Sequence, residues 1–317
     1  MHLKKIPGSV LSQYGKNIRV MQYSFSLPHL CRPVTLLLAS DFHCGKMLAK
    51  DLAPIGPFIT NVAQREEVHA IVIPGDIGDR LTPCAEWIPI AAETFAPFCH
   101  LYTSEGRPIP VLISPGNHDV LSDKGQPPVA QKFTSLYQGV KEHTKFAPFF
   151  LHPSPAGYPL RDAVTLMAAP DAQQYFPYPQ VFSNKRGLKE YIMPLQGGTF
   201  LGQAQPADFP RLTIALSHNP DGVYAPDPPG TIVELVVSGH THGGQMPEWL
   251  AKTLLKLPVI GGKLAAEFPP SSFGLKSGAF QVNSRILVIS NGIVTKPFRL
   301  LCPPEIAVIR LLPSKSD

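Results

Sequence analysis

Apolar residues in this chain gather into short runs, and five of those runs stop at clusters of residues able to hold a metal ion. Residues 34–40 lead into Asp41-Phe42-His43, residues 70–74 into Gly75-Asp76-Ile77-Gly78-Asp79, and residues 109–115 into Gly116-Asn117-His118-Asp119. Residues 212–216 lead into Ser217-His218-Asn219, and residues 232–237 into Ser238-Gly239-His240-Thr241-His242. Runs of this length, rich in Val, Ile and Leu and closed by Gly, Pro or Ser, predict buried strands. Between the first three, residues 48–69 and 84–103 mix apolar and charged positions at helical spacing. The alternation predicts an α/β sheet. Sites in such sheets form just beyond the carboxyl ends of the strands, so five strand ends can set Asp, His and Asn side chains around one point.

The same pattern predicts an edge strand and turn over residues 18–30 and further strands at 285–290 and 306–312. Residues 120–211 form a long middle section with one strand candidate at 163–167 and an aromatic, proline-rich loop around Tyr175, Phe176 and Tyr178. No linker separates the candidate ligands, which run from Asp41 to His242. A single domain over residues 1–317 is expected, with 120–211 contributing a substrate lid.

Composition narrows the class without choosing a function. Hydrophobic residues at 44% and charged residues at 16% fit a globular protein with a sizeable core. Proline accounts for 36 of 317 residues, about twice the usual ~5%, scattered through turns and loops without a repeat. The net charge of +5 is compatible with an anionic substrate or an anionic membrane surface and decides neither. Five widely spaced cysteines without a Cys-x-x-Cys pair argue against a disulfide framework or a structural zinc cluster and favour a reducing compartment. Cys44, next to the first cluster, is expected to fill space rather than to bind a metal. No signal peptide is evident and no run approaches the ~20 apolar residues needed to span a bilayer. The expected location is the cytoplasm, with at most a peripheral contact at the inner membrane.

The chemistry lies in the clusters. Asp41 and His43, two residues apart, can grip one cation, and Gly75 lets the backbone turn sharply before Asp76, whose two oxygens can bridge two cations. Asn117 offers a neutral carbonyl oxygen; His218, His240 and His242 offer neutral nitrogens. Such a mixed set suits divalent Mn, Fe, Zn or Co, and the absence of thiolates disfavours a structural zinc site. Seven candidates exceed one four-coordinate ion, but with Asp76 shared they make two sets of four. A pair of cations ~3.5–4 Å apart is the arrangement used for displacement at phosphorus. His118 is then left over and suits a general acid, with Asp79 placed three residues after Asp76 to orient its ring. Asp119 is expected to serve nearby backbone, Arg80 is a weaker candidate for a phosphate contact, and His2, His29, His69, His100, His143 and His152 are expected to be ordinary core or surface residues.

Together, Asp41-Phe42-His43, Gly75-Asp76-Ile77-Gly78-Asp79, Gly116-Asn117-His118-Asp119, Ser217-His218 and Gly239-His240-Thr241-His242 resemble the calcineurin-like metallophosphoesterases over nearly the whole chain. The resemblance implies a four-layer α/β/β/α sandwich of two mixed sheets with a dimetal site between strand ends. It implies that Asp41, His43, Asp76 and His242 hold one metal, that Asp76, Asn117, His218 and His240 hold the other, and that His118 is the acid oriented by Asp79. Residues 216–221, Gly239-His240-Thr241-His242-Gly243-Gly244-Gln245 and the ending Pro297-Phe298-Arg299-Leu300 look like a bacterial subgroup of membrane-associated or exported phosphoesterases. That subgroup includes UDP-2,3-diacylglucosamine pyrophosphohydrolases of lipid A biosynthesis. The chain departs from it in showing no amino-terminal hydrophobic anchor, and in having Ser290-Asn291-Gly292-Ile293-Val294 where many members read Ser-Arg-Gly-Leu-Gly.

Residues 248–260, with Trp249, Leu250, Leu254 and Leu255 among lysines, have the mix of an interfacial helix, though a short helix burying its leucines would read the same way. Expected partners are thus a phosphoester small molecule or a glycolipid nucleotide, with a peripheral membrane contact. Nucleic acid is disfavoured for want of a basic stripe interleaved with aromatics. A general or cyclic-nucleotide phosphodiesterase or phosphatase is the alternative enzyme; His218-Asn219-Pro220 and the Gly-Gly-Gln tail count mildly against the cyclic-nucleotide branch. A scaffold that kept the fold and lost catalysis is the non-enzyme alternative.

Overall fold

The computed structural model describes residues 2–14, 18–120, 129–144, 150–151, 158–160, 164–168, 212–224, 227, 232–244, 275–295 and 302–314. The first strands are β1 (Leu3–Ile6), β2 (Ser9–Tyr14), β3 (Ile18–Leu27), β4 (Val34–Leu38), β5 (Ala70–Pro74) and β6 (Val111–Ser114). Then come β7 (Phe150–Leu151), β8 (Tyr158–Leu160), β9 (Val164–Ala168), β10 (Leu212–Leu216) and β11 (Ile232–Ser238), and finally β12 (Gly278–Val282), β13 (Arg285–Ile289) and β14 (Glu305–Pro313). They form two seven-stranded mixed sheets, ordered β2-β3-β14-β4-β5-β6-β7 and β1-β12-β13-β11-β10-β9-β8. β4, β5, β6 and β7 run parallel in the first, and β9, β10, β11 and β13 run parallel in the second.

The strands of the five clusters are buried at nearly every position and mostly apolar because both of their faces are covered. Val34, Leu36 and Leu38 of β4, Ala70 and Val72 of β5 and Leu112 of β6 face a core shared with Leu212, Ile214 and Leu216 of β10 and Leu235 and Val237 of β11. The alternate residues Leu37, Ile71, Ile73, Val111 and Ile113 pack instead against helices. These are α1 (Ala49–Leu52), α2 (Ile55–Arg65), α3 (Cys84–Phe95) and α5 (Val129–Thr144), with a one-turn α4 (Asn117–Val120) between β6 and α5. The outer face of the second sheet buries Ala215, Val223, Val236, Leu287 and Ile289, where a 3-10 turn, Pro220–Tyr224, covers β11 and β13. That turn is the helical cover seen on this face among the described residues.

Several expectations need correction. Residues 18–27 are not an edge: β3 lies between β14 and β2, and β2 is the outer strand. The sequence hides β2 because an outer strand exposed along most of its length needs no apolar run. The helix expected over residues 48–69 is two helices, divided at Pro54. That expected over 84–103 ends at Phe95 before Pro97 and gives way to a 3-10 turn, Phe98–His100. α5 lies in the middle section, where no helix is expected from the sequence, while the strand expected at 163–167 is β9. The aromatic loop at 175–179, residues 248–260 and Pro297-Phe298-Arg299-Leu300 fall outside the described residues. No helix among the described residues is long and apolar enough to cross a membrane.

Candidate metal centre

Each cluster begins where its strand ends, and hydrogen bonds between the loops fix the path. Asp41 N–H donates to Gly75 O at 3.2 Å, His43 N–H to Asp76 O at 3.0 Å and Gly239 N–H to His218 O at 3.2 Å. The segment after β13 joins the two sheets here: Ile293 N–H donates to Ser40 O and Val294 N–H to Asp41 O, each at 2.9 Å. Asp41, His43, Asp76, His240 and His242 all have left-handed backbones, with φ of 54°, 44°, 53°, 69° and 49°. A non-glycine residue in that region costs of order 1–3 kcal/mol and persists only where its surroundings over-determine it. Such outliers gather at functional sites, and here five of them coincide with five candidate ligands. No pattern of residue types announces this; the nearest signal is the glycine that precedes Asp76 and His240.

All seven candidate ligands are buried. His218 Nδ1–H donates to the Pro74 carbonyl at 2.8 Å. A carbonyl can only accept, so this bond leaves His218 Nε2 with its lone pair. That nitrogen lies 2.9 Å from Asn117 Oδ1, 3.1 Å from His240 Nδ1 and 3.2 Å from Asp76 Oδ2. His240 Nδ1 and Asn117 Oδ1 are 3.1 Å apart. On the other side of Asp76, His43 Nε2 lies 3.4 Å from Asp76 Oδ2 and 3.1 Å from His242 Nε2. His242 Nε2 lies 3.2 Å from Asp41 Oδ1. Asp41-His43-Asp76-His242 and Asp76-His218-His240 are each close enough to share an ion. Spacings near 3.1–3.4 Å are the edges of a coordination polyhedron with bonds of ~2.0–2.2 Å. Electron pairs facing one another at this range repel unless a cation lies among them, so the donor set fits divalent metal.

The carboxylates are aimed by what they accept. His118 N–H donates to Asp76 Oδ1 at 2.8 Å, which leaves Oδ2 as the atom between the two groups. Ser40 Oγ–H donates to Asp41 Oδ2 at 2.6 Å and His240 N–H to Asp41 Oδ1 at 3.0 Å. Close backbone approach is part of the design: a Cβ on Gly116 would lie 2.3 Å from Asp76 N and Oδ1, and one on Gly292 2.6 Å from Asp41 Cβ. Ser40 and Gly292 escape a search for ligand types because neither is one.

His118 stands beside the cluster, its ring edge-on to His43 with centroids 4.4 Å apart. Its Nδ1 is 3.2 Å from Asp79 Oδ1 and 3.3 Å from Arg80 N. One nitrogen cannot donate to the first and accept from the second. The nearer, charged carboxylate sets the tautomer, with hydrogen on Nδ1. Asp119 is not part of this group: its Oδ1 accepts from Ile77 N–H and Gly78 N–H, each at 3.1 Å, and its Oδ2 from Gly116 N–H at 2.9 Å.

A family model described as calcineurin-like phosphoesterase matches residues 34–244, a span that opens on β4 and closes just after His242. The chain belongs to that family. The calcineurin-like phosphoesterases use divalent metals, and this one is a metal-dependent phosphoester hydrolase with a buried Asp/His cluster that could hold a metal ion. No curated relative matches the chain. Among solved structures, phosphopantetheinyl hydrolase from Mycobacterium tuberculosis aligns over 83% of this chain and 89% of its own, at 12% identity and a TM-score of 0.35.

The electrostatics suit such a phosphoesterase. Burial, then the neighbouring His118, holds His43 well below the usual imidazole range; burial and His218 bring His240 down to about 3. Both therefore offer lone pairs at neutral pH. Burial acts to raise the Asp76 pKa, but His218 and His118 outweigh it and keep the carboxyl well below its ordinary value. At Asp41 burial is likewise outweighed, chiefly by the His242 hydrogen bond and charge, and the pKa falls to about 2. His118 moves the other way: burial lowers its pKa, while Asp76 and Asp79 more than reverse this and raise it. Burial pushes the Cys44 thiol above its usual range, which keeps it protonated and agrees with a space-filling role.

Proposed function

We propose that the chain is a dimetal phosphohydrolase that cleaves a phosphodiester or pyrophosphate bond, built as a single domain over residues 1–317. Asp41, His43, Asp76 and His242 hold one cation, Asp76, Asn117, His218 and His240 hold the other, and Mn²⁺ is the metal of choice. The observation that carries this reading is the position of Asp76 Oδ2, 3.4 Å from His43 Nε2 and 3.2 Å from His218 Nε2, within reach of both groups. The metal pair would supply charge neutralisation for phosphoryl oxygens and activation of water. His118, held through Nδ1 by Asp79, presents the proton on Nε2 to the departing oxygen. Its pKa, raised by Asp76 and Asp79, favours the form that carries that proton.

For the substrate, the resemblance of Gly239-His240-Thr241-His242-Gly243-Gly244-Gln245 to the lipid A subgroup supports UDP-2,3-diacylglucosamine, with release of UMP and the acyl-sugar phosphate. The loop rim beside His118 adds support of its own. Leu48, 45% exposed, and Leu81, 72% exposed, stand on the loops after β4 and β5, which pair at Cys44 and Gly78. Leu48 occupies the N-cap position of α1, where a polar residue is the usual choice. An apolar lip next to Lys46 and Arg80 suits an amphiphilic anion and a peripheral stay at the inner membrane. Purified protein reconstituted with Mn²⁺ should carry two ions per chain and turn over the nucleotide-linked glycolipid faster than a cyclic nucleotide, a phosphomonoester or a simple diester. Two tight ions without turnover of any of them would favour a scaffold, and preference for the cyclic nucleotide would reject the lipid reading. Leu81→Ser should raise KM for the glycolipid and leave that for bis(p-nitrophenyl) phosphate unchanged.

A further inference from the structure

Lys132 lies on α5, belongs to none of the clusters that the sequence brings to notice, and is only 2% exposed. Its Nζ donates to the main-chain carbonyl of Asp119 at 2.9 Å. Placing a lysine head group in the core carries a desolvation cost, and the one bond seen among the described residues, to a neutral carbonyl, offsets only part of it. A methionine or leucine would fill the space at less cost, so what the ammonium does to that carbonyl needs an account.

The carbonyl belongs to the residue that joins two metal-bearing loops. The Asp119 carboxylate accepts from Ile77, Gly78 and Gly116 N–H groups, so it ties the loop after Asp76 to the loop that carries Asn117 and His118. Asp119 also sits in the one-turn helix α4 with both of those residues, and a cation at the carbonyl end of such a turn is favourably placed. Through Asp119, the head group of Lys132 anchors Asn117 and His118 to α5. α5 in turn is fixed to the helical layer by Phe133, Leu136 and Val140.

We infer that Lys132 is a positioning residue for the reaction: its bond to Asp119 sets where Asn117 Oδ1 and the His118 ring stand relative to Asp76. The inference rests on the dimetal reading above. It predicts a graded loss when the donor is weakened or removed, of the ~10–100-fold size typical for partners that orient metal ligands.

Wild type, Lys132→Met and Lys132→Gln would each be freed of metal and titrated with Mn²⁺. Bound ion is counted by equilibrium dialysis, and kcat and KM on bis(p-nitrophenyl) phosphate are measured well below each Tm. Lys132→Met, which keeps the volume and loses the donor, should bind the second Mn²⁺ about 10-fold more weakly or turn over ~10–100-fold more slowly, with KM changed less than kcat. Lys132→Gln, which keeps a neutral donor, should fall between Met and wild type. Wild-type Mn²⁺ affinity and kcat in Lys132→Met, or losses as large in Gln as in Met, would overturn the inference in favour of packing alone. Should Lys132→Met fail to fold, Lys132→Gln decides: a several-fold fall in kcat at an unchanged Tm supports the inference, and a wild-type kcat overturns it. Absence of turnover in the wild type would count against the phosphoester reading and still leave the Mn²⁺ isotherms to judge Lys132.

Discussion

Asp76 answers to three neighbours at once. One oxygen accepts the His118 N–H, the other faces His43 and His218, and its backbone is left-handed. Asp76→Ala should therefore disturb both cations, lowering metal content measured by inductively coupled plasma from two ions per chain toward none, whereas loss of a ligand to one site would spare the other. His118→Ala should keep both ions and lose ~10²–10⁴-fold in turnover, the usual contribution of acid catalysis. The pH dependence follows from the direction of the His118 shift. An acid must be protonated, and Asp76 and Asp79 raise its pKa, so activity should be full below the ordinary imidazole value and fall as pH rises through the raised one. Asp79→Asn removes one of the two charges that raise it and should move that alkaline limb of the kcat profile to lower pH. An unmoved limb would assign it to another group.

The strands that carry the clusters can be read from the sequence because burial on both faces demands a nearly unbroken apolar run, as in β4, β5 and β10. What cannot be read are elements whose faces make weaker demands. β1 and β2 are largely exposed, and α5 places a buried lysine among its apolar residues. The candidate ligand set is legible since its chemistry is carried by residue type. The supports of that set are not, because Ser40, Gly292 and the Asp119 carbonyl act through position alone. Gly292 gives the sharpest test at this scale. It has φ of 73° and no room for a methyl group against Asp41. Gly292→Ala should cost about 3 kcal/mol in denaturant unfolding, at the upper end of ordinary substitutions, and weaken metal binding alongside. A neutral result would mean that the loop after β13 yields easily.

At the scale of the molecule, the proposed centre is divided between the sheets. Asp41, His43, Asp76 and Asn117 come from the loops of one; His218, His240 and His242 come from the loops of the other. Apart from side chains, the backbone link described between the halves at this end is short: Ile293 to Ser40, Val294 to Asp41 and Glu305 to Gly292. On heating, a small parting of the two layers there would separate His218, His240 and His242 from the aspartates while most of the sandwich stayed intact. Enzyme freed of metal should for that reason lose the capacity to be reactivated by Mn²⁺ at a lower temperature than it loses circular dichroism, and enzyme with both ions in place should show a single coincident transition. The cations would then be clasps as much as reagents, and the thermal history of a preparation would be written first in its hinge of histidines.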